Sequence, residues 1–456
     1  MKKGDILEGI VERIDFPNKG VIPIEDRKVI VKNTIPGQKI RFRLQKKNSS
    51  KCEGQALEIV ERSADEIASD CPHFEICGGC VYRTLPYEKQ LELKKGQMLS
   101  LLAQTGDEPH FEGILGSPED LGYRNKMEFS FGDACKGGEM MLGMHKRGSF
   151  YDIVTVDHCR IVHEDFRKVL MCVLEIARAS GLDYFHKVSH QGYFRHLLVR
   201  RAVKTGEILV DLVTSTQAEP AKVKEIEEAL VSGLQSLELE GSLAGILHTV
   251  NDRVADVIID EGTTVLAGRD YFYEELLGLQ FRITPFSFFQ TNSLGAEILY
   301  SKAREYVGET KDKVIFDLYS GTGTIAQLLA PVASHVTGVE IVEEAVEAAK
   351  ENAARNGLNN CTFIAGDVLK VIDELTEKPD LLVLDPPRDG IHPKALPKLI
   401  KFGVNRIVYI ACKPTSFVRD YASFRYAGYR IEESCAVDMF PGTSGTELAV
   451  LLTKEN

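Results

Sequence analysis

The chain has no run of 18 apolar residues, so no segment is long enough to span a bilayer as a helix. It shows no internal repeat and no low-complexity tract. Its opening, MKKGDILEGIVERIDF, turns acidic before the apolar core of a signal peptide can form; export is therefore not expected, and the expected compartment is the cytoplasm. An excess of positive charge is lacking as well. The net charge of −12 argues against a protein that coats nucleic acid by bulk attraction. What remains, 456 residues with 44% apolar and 27% charged side chains, is a globular protein of two to four domains.

The charge is unevenly spread. Residues 1–62 carry 14 Lys and Arg against 9 Asp and Glu, concentrated in Lys39, Arg41, Arg43, Lys46, Lys47 and Lys51. The same stretch reads as four or five short strands separated by turn signals such as PNKG and TIPGQ. Lys39-Ile40-Arg41-Phe42-Arg43-Leu44 alternates strictly, as a strand with one buried and one basic face does. A small β-barrel of the oligonucleotide-binding kind is expected, its charges either meeting nucleic acid or solvating an edge strand. Residues 63–292 hold a cysteine cluster, a helix near 87–104 and strands alternating with helices near 163–180 and 219–235, which suits an α+β domain. Within it, Arg195, His196, Arg200, Arg201 and Lys204 either extend a basic surface or solvate a strand face. From 293 to 456, strand–helix alternation implies a doubly wound α/β domain.

In that last domain, strand VIFDL (314–318) runs into Tyr319-Ser320-Gly321-Thr322-Gly323-Thr324 and a helix. Glycines here let backbone pass close to a ligand at a helix N-terminus, and Glu340 follows at the distance of a ribose-binding carboxylate. This fits NAD as well as S-adenosylmethionine. Asp317 favours the latter, since a carboxylate there meets a cationic amino group but repels a pyrophosphate. Asp367, after strand CTFIA, is placed to accept from an adenine amine. In LLVLDPPRDG, two prolines fix Asp385 at the carboxyl end of a strand, the edge where open α/β sheets bind ligands.

Strand RIVYIA ends at Cys412-Lys413-Pro414, on that same edge. The thiol is either a buried structural cysteine or a nucleophile whose thiolate Lys413 favours. Carbon 5 of uracil needs such a nucleophile: a thiolate adding at carbon 6 makes an enolate, and a base must later remove the proton on carbon 5. Glu447 is the candidate base. DPPR (385–388), YIACKP (409–414), FPGTSGTE (440–447) and Phe289-Gln290-Thr291-Asn292 together resemble the RNA uracil-5-methyltransferases over nearly the whole chain. The resemblance implies Cys412 as nucleophile, Glu447 as base, and Gln290, Tyr319, Thr324, Glu340, Asp367 and Asp385 as S-adenosylmethionine contacts, with Arg388 on the substrate side. Two departures stand out: Ala411-Cys412-Lys413-Pro414 where the family often writes Ser-Cys-Asn-Pro, and Gly442 and Gly445 where it often has histidines.

Cys71, Cys77 and Cys80, with Cys159 far along the chain, form a four-thiolate set suited to structural zinc or an iron–sulfur cluster. The set resembles the [4Fe–4S] site of the family's ribosomal-RNA branch, and residues 1–62 resemble its TRAM module. The transfer-RNA branch characteristically lacks both, so the resemblance implies 23S ribosomal RNA as substrate, with the same reaction on transfer RNA or a non-catalytic iron–sulfur scaffold as alternatives. The target uridine has to leave its stack, which favours a loop or single-stranded region. No membrane and no obligate protein partner are inferred.

Overall fold

The computed structural model describes residues 1–47, 52–255, 257–375 and 377–455. The first six strands are β1 (Ile6–Ile10), β2 (Arg13–Asp15), β3 (Lys19–Ile24), β4 (Arg27–Lys32), β5 (Lys39–Lys47) and β6 (Cys52–Glu61). They form one sheet in the order β1-β5-β6-β4-β3-β2, a half-barrel around Val11, Ile22, Val29, Val31, Ile40, Phe42 and Leu44. The alternation in β5 is real: Ile40, Phe42 and Leu44 face the core. β5 is not an edge strand, however, because β1 and β6 flank it. Its cations face glutamates on both neighbours. Lys39 pairs with Glu61 at 3.0 Å, and Arg41 pairs with Glu8 at 2.7 Å and with Glu58. Much of the expected basic face is thus a cross-strand ion-pair ladder. Arg43 is exposed, and Lys51 and the Lys47 side chain lie outside the described residues.

Helix α1 (Tyr87–Leu102) and strand β7 (His110–Leu115) follow. The middle of the chain supplies β8 (Lys126–Asp133), β9 (Met140–His145), β10 (Ile153–Val154), α2 (Glu164–Ser180), β11 (Phe194–Arg201), β12 (Glu207–Thr214), α3 (Pro220–Gln235), β13 (Ser242–Val250) and β14 (Thr263–Gly268). Its seven strands run β10-β9-β8-β11-β12-β13-β14, with α2 and α3 packed together on the sheet. β11 is central, and this overturns the basic surface read from residues 195–204. Arg195 and Arg200 are buried, Arg201 is paired with Asp165 at 2.9 Å and Lys204 with Glu297 at 2.5 Å. Arg200 instead donates to the carbonyls of Thr284 and Ser287, pinning the segment that leads to Gln290. A hairpin, β15 (Phe272–Leu276) and β16 (Leu279–Ile283), completes this stretch.

The last part comprises α4 (Ser293–Val307), β17 (Thr310–Leu318), α5 (Thr324–Leu329), β18 (Ala333–Glu340), α6 (Glu343–Arg355), β19 (Cys361–Ala365), α7 (Val368–Val371), β20 (Leu381–Leu384), α8 (Leu396–Lys401), β21 (Arg406–Ala411), α9 (Pro414–Tyr426), β22 (Tyr429–Val437) and β23 (Glu447–Lys454). Eight strands form one sheet in the order β19-β18-β17-β20-β21-β23-β22-β7. β17 to β21 are mutually parallel, with β17 between β18 and β20, so the strand order reverses there and opens a crevice at the carboxyl edge. One face is covered by α4, α5 and α6 through Leu299, Leu328 and Val346, the other by α7, α8, α9 and α1 through Val371, Leu399, Phe417 and Met98. The strand–helix alternation does not continue to the end: β23 runs antiparallel between β21 and β22. β7, from within residues 63–292, adds the final edge parallel to β22. Among the described residues no helix is long and apolar enough to cross a membrane.

Candidate active site

Three strand ends meet at the crevice. β17 ends at Leu318, beside Leu384 of β20, so Asp385 emerges next to the glycine turn. β20 runs beside β21, and β21 pairs antiparallel with β23, Ala411 opposite Leu448. The next step of that register sets Cys412 across from Glu447. The Asp385–Gly390 turn is locked from α9: Asp420 accepts from Ile391 N at 2.8 Å, and Ser416 Oγ donates to Arg388 O at 2.7 Å.

The electrostatics show how closely these groups sit. The Cys412 thiol is pushed up to about 12, by burial first and then by Glu447 and Asp385, with Arg388 opposing. Glu447, 2% exposed, is pushed up to about 8 by burial and by Asp385, again opposed by Arg388. Burial takes Asp385 to about 7. Lys413, expected to favour the thiolate, is exposed, and Arg388 is the leading cation acting on Cys412. Tyr300 on α4 was not legible as a site residue. It is buried, and after burial itself Asp385, Glu447 and Asp317 raise its pKa, with Gln290 opposing. Nothing in its helical pattern separates it from an ordinary core tyrosine.

The expected donor-binding residues line the adjoining stretch of the edge. Tyr319 holds a left-handed backbone (φ 68°) and its N–H donates to Val339 O, which turns the chain tightly out of β17. Glu340 Oε2 accepts from Gly321 N at 2.9 Å and Oε1 from Val342 N at 3.0 Å, so this carboxylate shapes the turn. Asp367 caps α7 through Leu369 N and lies near enough to Tyr319 to raise its phenol. Thr324 begins α5, its hydroxyl 3.4 Å from that of Thr322. Asp317, expected to meet a ligand's amino group, is committed through one of its oxygens to the protein itself. It is fully buried, and Oδ2 accepts from Ala326 N at 2.9 Å at the start of α5, while Oδ1 has no partner.

Gly442 and Gly445 have local reasons. Gly442 takes φ +78°, and a Cβ there would lie 2.5 Å from Arg83 Cδ. A Cβ at Gly445 would lie 2.7 Å from the Phe440 ring.

Cys71, Cys77, Cys80 and Cys159 line a common void of about 460 Å³, part of it open to solvent, together with His73, Arg83 and Arg160. Burial pushes Cys80 up to about 12 and Cys159 to about 11, and the neighbouring thiols add to both. Arg147, missed in the sequence, donates from one nitrogen to the carbonyls of Phe74, Cys80 and Cys77 and so folds the Cys71–Cys80 turn. Among the described residues no three His, Cys, Asp or Glu side chains are grouped to hold a metal ion. The expected metal set therefore shares a pocket without forming an assembled ligand group.

A methyltransferase-domain model matches residues 309–407. An uncharacterized RNA methyltransferase of Caldanaerobacter subterraneus is 48% identical over 455 residues, covering all of both chains. One from Clostridium tetani is 47% identical over 457 residues, covering 100% of this chain and 99% of the relative. Among solved structures, the Pyrococcus abyssi tRNA (uracil-54, C5)-methyltransferase in complex with S-adenosyl-L-homocysteine matches with a TM-score of 0.76 and 25% identity, over 98% of this chain and 100% of that one. That match spans the N-terminal half-barrel and the cysteine-bearing segment too. An N-terminal region aligned over this half-barrel is therefore not in itself a mark of a ribosomal-RNA enzyme. Full-length identity and shared architecture lead to one conclusion: the chain belongs to the RNA methyltransferase family that includes the uracil-5 enzymes.

Proposed function

We propose that this protein methylates carbon 5 of a uridine in RNA, using Cys412 as nucleophile and Glu447 as base. The observation that carries the reading is the β21–β23 register, in which Ala411 and Leu448 are opposite one another, one residue short of Cys412 and Glu447; Glu447 and Asp385 both act on the Cys412 thiol. Gln290, Tyr319, Thr324, Glu340, Asp367 and Asp385 hold S-adenosylmethionine, which when bound supplies an electrophilic methyl group. Cys412 Sγ, as the thiolate, adds to carbon 6 and turns carbon 5 into the nucleophile, which takes the methyl group as S-adenosylhomocysteine leaves. Glu447 then takes the carbon 5 proton, and the C6–S bond breaks to release the thiol. Arg388 supports the thiolate, and Asn125 holds Gln290 in place through its carbonyl. An RNA substrate puts the reaction in the cytoplasm.

The target proposed from the sequence is 23S ribosomal RNA. The full-length likeness to an enzyme named for transfer-RNA uracil 54 favours a second reading, the same reaction on transfer RNA. Nucleoside mass spectrometry of both RNAs, from cells with and without the protein, tests the two together. Loss of 5-methyluridine from ribosomal RNA supports the first and loss from transfer RNA the second; loss from neither overturns the function.

We propose further that Cys71, Cys77, Cys80 and Cys159 hold a [4Fe–4S] group. Their shared void and crowded, charge-averse thiols suit a cationic centre that stabilises thiolates. Zinc held by the same four thiols is the alternative. Iron and acid-labile sulfide analysis of anaerobically purified protein tests this, and zinc without sulfide would refute it.

A further inference from the structure

Lys94 lies on α1, far from the catalytic strands in sequence, yet it ends inside their loop. The side chain is wholly buried. Its Nζ donates to Asp438 Oδ1 at 2.6 Å, Gly445 O at 2.9 Å and Phe440 O at 3.2 Å. An ammonium has three donors, and all three are spent on the turn that ends at Glu447. Asp438 Oδ1 also accepts from Phe440 N at 3.1 Å, which closes the turn on itself. The tip is gripped from other elements. Gly442 N donates to Gln90 Oε1 at 2.7 Å, Gly442 O accepts from Val81 N and Tyr82 N, and Tyr123 donates to Pro441 O. Burying a lysine and an aspartate is expensive, and packing alone is served as well by apolar side chains. Three directed bonds to one turn do what apolar packing cannot: they fix the backbone positions of residues 440 and 445, and through them the start of β23.

We propose that Lys94 is the positioning residue of the base, holding the 438–446 turn so that the Glu447 carboxyl faces the uracil C5–H while Cys412 is bound at carbon 6. The inference rests on the proposed reaction. Cys412 is carried by β21 and leads into α9, and the hydrogen bonds of Lys94 go instead to Asp438, Phe440 and Gly445. Loss of Lys94 therefore leaves thiolate addition and methyl transfer in place and slows proton removal, so the methylated RNA stays covalently on the enzyme.

The test uses the full-length protein, RNA from cells lacking it, and S-adenosylmethionine labelled in the methyl group. Lys94→Met combined with Asp438→Asn removes both buried charges together, Gln90→Leu loosens the same turn without touching a charge, and Glu447→Gln is the reference. The expected result is a denaturant-stable, methyl-labelled protein–RNA adduct in all three. Turnover in the double variant falls ~100-fold or more, the scale of a displaced general base, while KM for RNA changes less than about threefold. If Glu447→Gln accumulates adduct and the other two do not, Lys94 is not a positioning residue and the reaction stands. If Glu447→Gln itself gives no adduct, the base assignment falls and the inference falls with it. Should the double variant fail to fold, judged by donor binding, Gln90→Leu decides: adduct supports the inference, wild-type turnover overturns it.

Discussion

Replacing Glu447 by glutamine probes electrostatics and chemistry together. The carboxyl sits at about 8 in the folded protein against an ordinary 4.5, through burial first and Asp385 second. Between those values the unfolded chain releases a proton that the folded chain keeps, so stability falls as pH rises from about 4.5 to about 8 and this group adds nothing further above that. A tenfold change in acidity is worth ~1.4 kcal/mol, which makes the carboxylate cost the folded state on the order of 5 kcal/mol by pH 9. Glutamine has no charge to bury. Glu447→Gln should therefore match wild type near pH 4, outlast it increasingly from pH 5 to about pH 8 and keep a constant lead above that, read as the gap between their thermal midpoints. Activity moves the other way. A base must be unprotonated to act, so wild-type turnover should climb about tenfold per pH unit up to about 8, and the variant should lose ~10²–10⁴ of it. Parallel stability–pH curves for the two proteins, or a variant turning over at the wild-type rate, would refute the reasoning.

Cys412→Ala should abolish the covalent complex with a 5-fluorouridine RNA on denaturing gels while donor binding by calorimetry stays within about twofold, because the thiol is needed only for addition at carbon 6. Gly442→Ala forces a Cβ against Arg83 at a positive φ; the strained turn should cost ~1–3 kcal/mol in chemical denaturation and slow turnover without weakening RNA binding. Arg43→Glu on the exposed face of the half-barrel should weaken RNA binding at low salt and reduce the salt slope by about one, with donor affinity unchanged.

Legibility followed sequence distance. The β17 turn, Asp385 and Cys412 each lie where an apolar strand stops at a glycine or proline, a local pattern that a single pass detects, and the structure sets all three on one edge. Helices at 87, 164 and 220 were likewise readable from their periodicity. The basic stretch 195–204 misled because charge in a strand reads the same whether the strand is an edge or, like β11, central and covered on both faces. β7 was illegible as part of the catalytic sheet: HFEGIL is short, and its partner β22 lies over 300 residues away. Lys94 was hidden for the same reason, since a lysine on an amphipathic helix looks solvated until its partner Asp438 is in view. The tie of Asp317 to the helix N-terminus was not legible: Oδ2 accepts from Ala326 N, a bond that the start of a helix favours for a carboxylate.

Charge state was the least legible property of all, and it shapes the chemistry most. A thiol at about 12 and a carboxyl at about 8 leave Cys412 and Glu447 mostly protonated at neutral pH, with Asp385 near its midpoint at about 7. Burial dominates each value, so adding one more negative charge, the thiolate, is disfavoured by its neighbours as well as by the medium. Under the proposed mechanism that balance withholds the nucleophile until something positive or hydrogen-bonding enters. Arg388, exposed on a turn fixed by Asp420 and Ser416, is the protein's own counter-charge to both Cys412 and Glu447. A uracil brought out of its stack offers carbonyl oxygens that take up the charge as the thiolate adds, so the carbon 6 adduct is stabilised where a free thiolate is not. Reactivity of Cys412 is in this way tied to the presence of the target base, which the strand-end position of the cysteine alone does not provide.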